Sequence, residues 1–252
     1  MADSVWLVIP TYDEADDIER LLRTAAAELE CAAPGAWRIL VVDDGSPDGT
    51  GRIVDGLSRE IPRIGALHRT GKEGIGPAYR AGFDAALRAG AGVVVQMDAD
   101  FSHDPAYLGT MLGELARSDV VLGSRYVPGG GITDWGPVRR TLSRGGCLYA
   151  RAILRVPVRD LTGGFKAHRR AVLEAIDLPS IRSRGYAFQI EMTYRALLRG
   201  YRVREVPIVF RDRREGTSKM SWRVAFEAVW LVPRLRRPAR AGAGPGRPYP
   251  PR

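Results

Sequence analysis

The chain has 252 residues, 45% of them hydrophobic and 27% charged, a globular balance that excludes collagen, coiled coil and wholesale disorder. No apolar run approaches the roughly 18 residues needed to span a bilayer, and MADSVWLVIP lacks the cationic region of a signal peptide. Two cysteines, Cys31 and Cys147, are too few and too far apart for a disulfide framework or a zinc site. These features predict a single soluble or peripheral intracellular domain. The net charge of +9 is unevenly spread, because residues 1–100 carry 10 Lys/Arg against 17 Asp/Glu while residues 101–252 carry 28 against 12. The basic half should attract a polyanion, an anionic membrane or a phosphorylated substrate. Of 38 cations only Lys72, Lys166 and Lys219 are lysines.

In chain order, Val5–Ile9 is a short apolar run that ends at Pro10, and Asp13–Glu30 carries helical spacing at Ile18, Leu21, Leu22, Ala25, Ala26 and Leu29. Ile39–Val42 is a second apolar run, stopped by DDGSPDGTG. Arg52–Arg59 reads as a helix, Ile64–Leu67 as a strand and Pro77–Ala89 as a helix. Val93–Met97 is again strand-like and ends abruptly at acids. Pro105–Leu115 is helical and Val120–Leu122 a strand. Apolar runs separated by amphipathic helices predict an α/β, mostly parallel sheet with helices on both faces. Ligands of such sheets bind beyond the carboxyl ends of the strands, where every acid cluster of this sequence falls.

Beyond residue 125 the pattern loosens. Val127–Pro137 is rich in Gly and Pro and reads as a mobile loop. Arg139–Val156 and Tyr186–Leu198 read as helices and Val203–Phe210 as a strand. Met220–Leu235 gathers Trp222, Phe226 and Trp230 before RLRRPAR, and residues 238–252 have the Gly/Pro/Arg composition of a disordered tail. The predicted organisation is one catalytic domain over 1–237.

Asp98 and Asp100 flank Ala99 directly after VVVQM. Two hard carboxylates at a strand end suit Mg²⁺ or Mn²⁺ bridging to substrate phosphates; a solvated turn is the plain alternative. Asp43–Asp44–Gly45–Ser46 could accept hydrogen bonds from a base or ribose, or form an Asx turn, a task open to Asp48 or Thr50. Tyr12 could lie against a base, and Glu14 could be a helix-start acid. GKEGIGPA (71–78) matches neither phosphate-loop fingerprint, yet it precedes a helix whose N-terminus could meet a phosphate. Arg125 ends a strand, Arg139 and Ser143 are four apart on one helical face, and Arg213 and Lys219 lie in RDRREGTSK. Such cations could collect phosphates opposite the acids. His68, His103 and His168 show no metal-ligand spacing and read as structural or surface groups.

PTYDE, VVDDGSPDGT, MDADFSHDP, GSRY, RRTLSRG, DLTGGF, FQIEM and VPIVFRDRREGTSK occur in this order. Together, over roughly residues 5–225, they resemble the family 2 inverting glycosyltransferases, specifically the polyprenol (dolichol) phosphate mannose synthases. The resemblance implies a GT-A fold, a GDP-mannose donor, Mg²⁺ or Mn²⁺, and a polyprenyl phosphate acceptor. Carried over by position, it implies nucleotide contacts at Pro10, Tyr12, Glu14, Val42 and Asp44, and a metal and diphosphate site at Asp98, Ala99 and Asp100. Ser102 stands where some relatives have Gln as a further metal position. Arg125, Arg213 and Lys219 match cations that grip donor and acceptor phosphates, Arg139 and Ser143 the acceptor-phosphate pair, and Asp100 and Arg125 carry the catalytic assignment. Unlike members with appended transmembrane helices, this chain resembles the subtype that docks on the inner face of the cell membrane or on a membrane-embedded partner.

That chemistry matches the residues. A phosphate monoester is already a nucleophile and does not require a base to take its proton, so no positioned His is needed. What remains is to hold two anions in line and stabilise the departing diphosphate. Segments 139–156 and 220–237 mix apolar side chains with arginines as interfacial helices do, although Trp222, Phe226 and Trp230 fit a packed core equally well. The competing enzyme reading is another nucleotide sugar, such as UDP-glucose, with the same acceptor. A basic nucleic-acid-binding module is the competing class; with no recognised motif for it and acid-lined strand ends, the expectation is no nucleic-acid partner.

Overall fold

The computed structural model describes residues 4–181, 183, 185–212 and 232–236. Its centre is a seven-stranded sheet in the order β3-β2-β1-β4-β7-β5-β8. The strands are β1 (Val5–Thr11), β2 (Trp37–Asp43), β3 (Ile64–His68), β4 (Val93–Gln96), β5 (Val120–Ser124), β7 (Lys166–Arg169) and β8 (Val203–Pro207). A two-residue parallel ladder joins β6 (Gly131–Ile132) to β9 (Val209–Phe210). Helices α1 (Ile18–Ala32), α2 (Thr50–Glu60), α3 (Ile75–Arg88), α4 (Leu108–Glu114), α5 (Pro137–Leu154), α6 (Arg170–Ala175) and α7 (Gly185–Leu198) complete the described fold.

Both faces of the sheet are covered, as the unbroken apolar runs require. On one face α1 buries the six predicted residues, Ile18 to Leu29, with Val54, Leu57, Met111 and the outward-facing residues Leu7, Ile9, Ile39 and Val95. On the other, Tyr79 and Phe83 of α3 pack with Val8, Val42, Val94, Phe188 and Met192. Each fully buried large apolar side chain contributes about 1.5–3 kcal/mol. Helix α3 lies so close that a Cβ on Gly82 would meet Val8 Cγ1 at 2.4 Å. A third cluster joins the end of α5 to α7 through Ala150, Leu154, Ile190 and Leu197, and Val232 is buried in it. The last part of the 220–237 segment therefore packs as core at Val232, while residues 220–231 and 237 lie outside the described residues.

The parallel register aligns strand ends. Thr11 stands beside Asp43, and Asp43 beside His68, while Val8 pairs with Gln96, so the chain leaving β4 reaches Asp98 at the same edge. Strand β7 runs antiparallel between β4 and β5, with Lys166 opposite both Gln96 and Leu122. It therefore begins at the acid edge and brings the preceding DLTGGF loop there.

Sequence KAHR gives no apolar strand signal, yet β7 is central. The polar side chains are bonded internally, His168 Nδ1 excepted: Lys166 Nζ donates to Gln189 O (2.7 Å) and Thr193 Oγ1 (3.0 Å). Gln96 Nε2 donates to Gly164 O and Gln189 Oε1. The 127–137 stretch, expected to be a mobile loop, is instead tied down by Gly131 N to Ile208 O (3.0 Å) and Thr133 N to Phe210 O (2.9 Å).

Burial pushes the Lys166 ammonium down to about 7, against the opposing pull of Asp160 and Cys147, from an ordinary 10.5. Between those values the unfolded chain holds more protons than the folded one, so Lys166 makes stability rise with pH across that window. Denaturant unfolding at pH 7 and pH 9.5 should show this rise, and Lys166→Met should remove most of it. An unchanged slope in the variant would contradict the assignment.

Candidate active site

The ends of β1, β2 and β4 frame one cleft of about 140 Å³. Pro10 comes from the end of β1, Tyr12 and Glu14 from the chain after it, Asp44 from just beyond β2, and Asp98, Ala99 and Asp100 from beyond β4. Thr11, Lys72, Ile75 and Ala78 also line it. Seven residues singled out from the sequence thus meet in one place. Val42 is buried behind the cleft among the α3 contacts.

The two loops after β1 and β2 hold each other. Asp48 Oδ2 accepts from Ala15 N (2.9 Å), and its Oδ1 from Thr50 N (2.9 Å) and Thr50 Oγ1 (2.7 Å). Thr50 Oγ1 in turn accepts from Glu14 N (3.0 Å). Asp48 and Thr50 therefore take the turn-forming task, leaving the buried Asp44 carboxylate at the cleft, where Arg69 is its ion-pair partner.

Three groups fix the acids beyond β4. The buried Tyr79 hydroxyl donates to Asp98 Oδ1 (2.9 Å). Burial, together with Asp98 and Asp100, holds this phenol well above its usual 10, so it stays a donor. Ser102 donates to Asp100 Oδ1 from its backbone N (3.1 Å) and from its hydroxyl. Ser102, expected among the metal positions, is thus engaged in orienting Asp100. Phe101 between them has φ of 56°, a left-handed conformation costly for a bulky residue, and it turns the chain so that Ser102 reaches back. Gly164 of DLTGGF lies where a Cβ would sit 3.3 Å from Asp98 Oδ2 and 3.2 Å from His103 Cε1. Only glycine allows that approach without displacing the acid.

His103 is buried between Phe165 and Phe210. Its Nδ1 accepts from Asp98 N (3.2 Å), and burial lowers its pKa despite the opposing pull of Asp98 and Asp100. It is a neutral packing group, in line with the structural reading of the histidines.

Arg125, Arg139 and Ser143 form a second group around Tyr126 and Trp135. Arg125 is 6% exposed and gives Asp160 a two-pronged pair, Nε to Oδ2 and Nη2 to Oδ1, each 2.7 Å. Burial alone would raise the Asp160 carboxyl; Arg125 overrides it and holds the carboxyl low. The Arg139 guanidinium lies 4.0 Å over the Trp135 ring and pairs with Asp212 at 2.6 Å. Ser143 Oγ accepts from the Tyr126 hydroxyl at 2.7 Å. Arg125 therefore sits beside the cleft in a buried pair and is not among its lining residues. Arg213 and Lys219 lie outside the described residues. Burial raises the Cys147 thiol to about 11, so it is inert at neutral pH.

Sequence reasoning missed Tyr79 and Asp160. Tyr79 falls within the Pro77–Ala89 helix and Asp160 within DLTGGF, and neither stands out there as a site residue. Their only signal was position: each lies on an element that meets the acid edge.

A mostly parallel α/β sheet with carboxylates gathered at its strand ends is the setting of a ligand cleft, and similarity to known proteins fixes the class. The model of "Glycosyl transferase family 2" matches residues 6–177, so the chain belongs to the glycosyl transferase family 2. It is 46% identical over 228 residues to the polyprenol monophosphomannose synthase of Mycolicibacterium smegmatis, covering 90% of this chain and 84% of the relative. It is 44% identical over 236 residues to the undecaprenyl-phosphate mannosyltransferase of Micrococcus luteus, covering 94% and 95%. The fold is GT-A. It matches glucosyl-3-phosphoglycerate synthase from Mycobacterium tuberculosis, solved with Mn²⁺, UDP-glucose and phosphoglyceric acid, at TM-score 0.68 and 16% identity over 93% of this chain and 80% of that one. A mannosyltransferase from Pyrobaculum calidifontis, solved with GDP-Man and Mn²⁺, matches at TM-score 0.58 and 19% identity over 90% and 61%.

Tyr79→Phe should keep the fold, since only the hydroxyl is lost, and leave Asp98 with one donor fewer. A hydrogen bond to a charged group is worth about 1.5–3 kcal/mol, so glycosyl transfer should fall about tenfold or more. Steady-state kinetics beside a melting curve would check this; unchanged kinetics would remove Tyr79 from the site.

Proposed function

We propose that this enzyme transfers mannose from GDP-mannose to a polyprenyl phosphate with inversion, giving a polyprenyl β-D-mannosyl phosphate. The supporting observation is the cleft itself, in a chain that aligns over 90% and 94% of its length with two lipid-phosphate mannosyltransferases. Mannose as the sugar and polyprenyl phosphate as the acceptor rest on those relatives. The guanine nucleotide and the residue roles are the finer part of the reading.

Among the described residues no group of three or more His, Cys, Asp or Glu could hold a metal ion by itself. Asp98 and Asp100 offer two hard carboxylates, which fits a Mg²⁺ or Mn²⁺ ion completed by donor phosphates and water. Such an ion supplies neutralisation of the departing diphosphate. The remaining work falls to side chains. Tyr12 and Asp44 receive the nucleoside, Tyr79 and Ser102 hold the two carboxylates in position, and Glu14 borders the cleft mouth. Arg125, Arg139 and Ser143, with Arg213 and Lys219, receive the acceptor phosphate and offset its charge. The acceptor oxygen attacks C1 directly as the donor's C1–O bond to diphosphate breaks, and the buried neutral His103 takes no proton.

The acceptor is a lipid, and α5 suits a membrane surface. Its inner side carries Arg139, Ser143, Cys147, Ala150 and Leu154, while Val138 is 69%, Leu142 43% and Leu148 65% exposed. Arg140, Arg144 and Arg151 are exposed with them. Apolar side chains among arginines match an interfacial helix, and each cation near an anionic surface adds about 1 kcal/mol. No helix among the described residues is long and apolar enough to cross a membrane. We place the enzyme at the inner face of the cell membrane, docked through α5 on the bilayer surface or on a membrane-embedded partner.

The test is transfer of labelled mannose to a polyprenyl phosphate in anionic vesicles, with Mg²⁺ or Mn²⁺ and with UDP-glucose in parallel. Lipid-extractable, metal-dependent product from GDP-mannose is expected, lost in Asp100→Ala. A Leu142→Ser/Leu148→Ser double variant should sediment less with the vesicles but retain turnover of a short-chain, detergent-dissolved acceptor. Product from UDP-glucose alone would overturn the donor, and equal vesicle binding would overturn the role of α5.

A further inference from the structure

Lys72 is the only cation lining the cleft among the described residues. Its ammonium lies 3.7 Å from the centre of the Tyr12 ring, on the residue that the proposed function assigns to the nucleoside. Its neighbours are already matched: Arg69, 15% exposed at its side chain, pairs with both Asp44 and Glu73. That leaves Lys72 without a carboxylate partner among the described residues. It is exposed, so its hold on the ring is worth only about 0.5–1 kcal/mol, weak enough for a stacking base to displace. In a chain where Arg supplies 35 of the 38 cations, a compact, flexible ammonium stands here.

Position decides which part of the donor it meets. Lys72 follows β3, and the sheet runs β3-β2-β1-β4. At about 4.8 Å per strand, three spacings separate β3 from β4, whose end carries the diphosphate-side acids Asp98 and Asp100. Lys72 belongs to the opposite end, with Tyr12 and Asp44. A guanine stacked on Tyr12 would present its N1–H and exocyclic 2-amino group to the Asp44 carboxylate. Its adjacent 6-carbonyl would then need a donor, which a carboxylate cannot supply.

We propose that Lys72 is a specificity residue for the nucleobase: displaced from the Tyr12 ring by the donor's purine, it donates a hydrogen bond to the purine 6-carbonyl beside Asp44. This rests on the guanine-nucleotide reading above and deepens it. It also gives the stretch GKEGIGPA a use other than holding a phosphate.

The experiment measures binding of GDP, and of 6-thioguanosine diphosphate, which keeps the N1–H and 2-amino donors but replaces the 6-carbonyl oxygen with a weakly accepting sulfur, to the full chain and to Lys72→Met and Lys72→Arg. The wild-type protein should lose roughly tenfold when sulfur replaces the carbonyl oxygen, the scale of a charge-assisted hydrogen bond. Lys72→Met should bind GDP roughly tenfold more weakly and lose nothing further with the analogue, because residue and carbonyl form one interaction. Lys72→Arg should recover part of the loss, and kcat at saturating donor should hold in all three. Lys72→Met binding GDP as tightly as wild type would overturn the proposal, as would a full additional loss with the analogue. Folded wild-type protein that binds no GDP would overturn the guanine reading, and Lys72's role with it.

Discussion

The constraint on which the site depends is the insertion of antiparallel β7 between β4 and β5. A parallel strand there would deliver its preceding loop to the far edge of the sheet. Running the other way, β7 begins beside the end of β4, and the loop from Asp160 to Phe165 is drawn against the acids. Two contacts follow. Gly164 closes on Asp98 and His103, and Asp160 meets Arg125 at the end of β5. Lys166, bonded to α7 through Gln189 and Thr193, anchors that strand at the cost of a buried ammonium. The stability of the sheet and the geometry of the site are thus set by the same four-residue strand.

The charges divide accordingly. Carboxylates hold the cleft between β1, β2 and β4, and arginines hold the ground beside it on β5 and α5. Each cation of the second group is already paired or stacked, Arg125 with Asp160 and Arg139 with Asp212 and Trp135. A buried pair of this kind adds little net stability, but removing one partner would strand a charge. Its contribution is positional: it fixes the Arg125 side chain among Tyr126, Trp135 and Phe210, beside the acid edge. The aromatic contacts from His103 through Phe210 to Trp135 join the two groups into one packed unit.

Much of this was legible in the sequence because buried parallel strands are apolar on both faces and end where the chain turns polar. VWLVIP, ILVVDD and VVVQMDAD announce both the strands and the acid edge, and the α1 face appears as predicted. What escaped was written in polar residues. KAHR forms a central strand because its lysine and histidine are bonded within the sheet and to α7, which no periodicity reveals. Tyr79 looks apolar until its hydroxyl meets Asp98. The pairing of Gly131 and Ile132 with Val209 and Phe210 joins segments 78 residues apart, beyond any local signal. Val203–Phe210 reads as one strand but serves two sheets, breaking at Ile208.

In the proposed reaction the acceptor phosphate attacks in line between the acids and the arginines, a single displacement at the sugar carbon. The most direct test is the anomeric configuration of the product formed from α-linked GDP-mannose, read by the one-bond carbon–hydrogen coupling at C1. A β-mannosyl phosphate is expected. An α-linked product would contradict single displacement between these two groups of side chains and would demand a covalent intermediate.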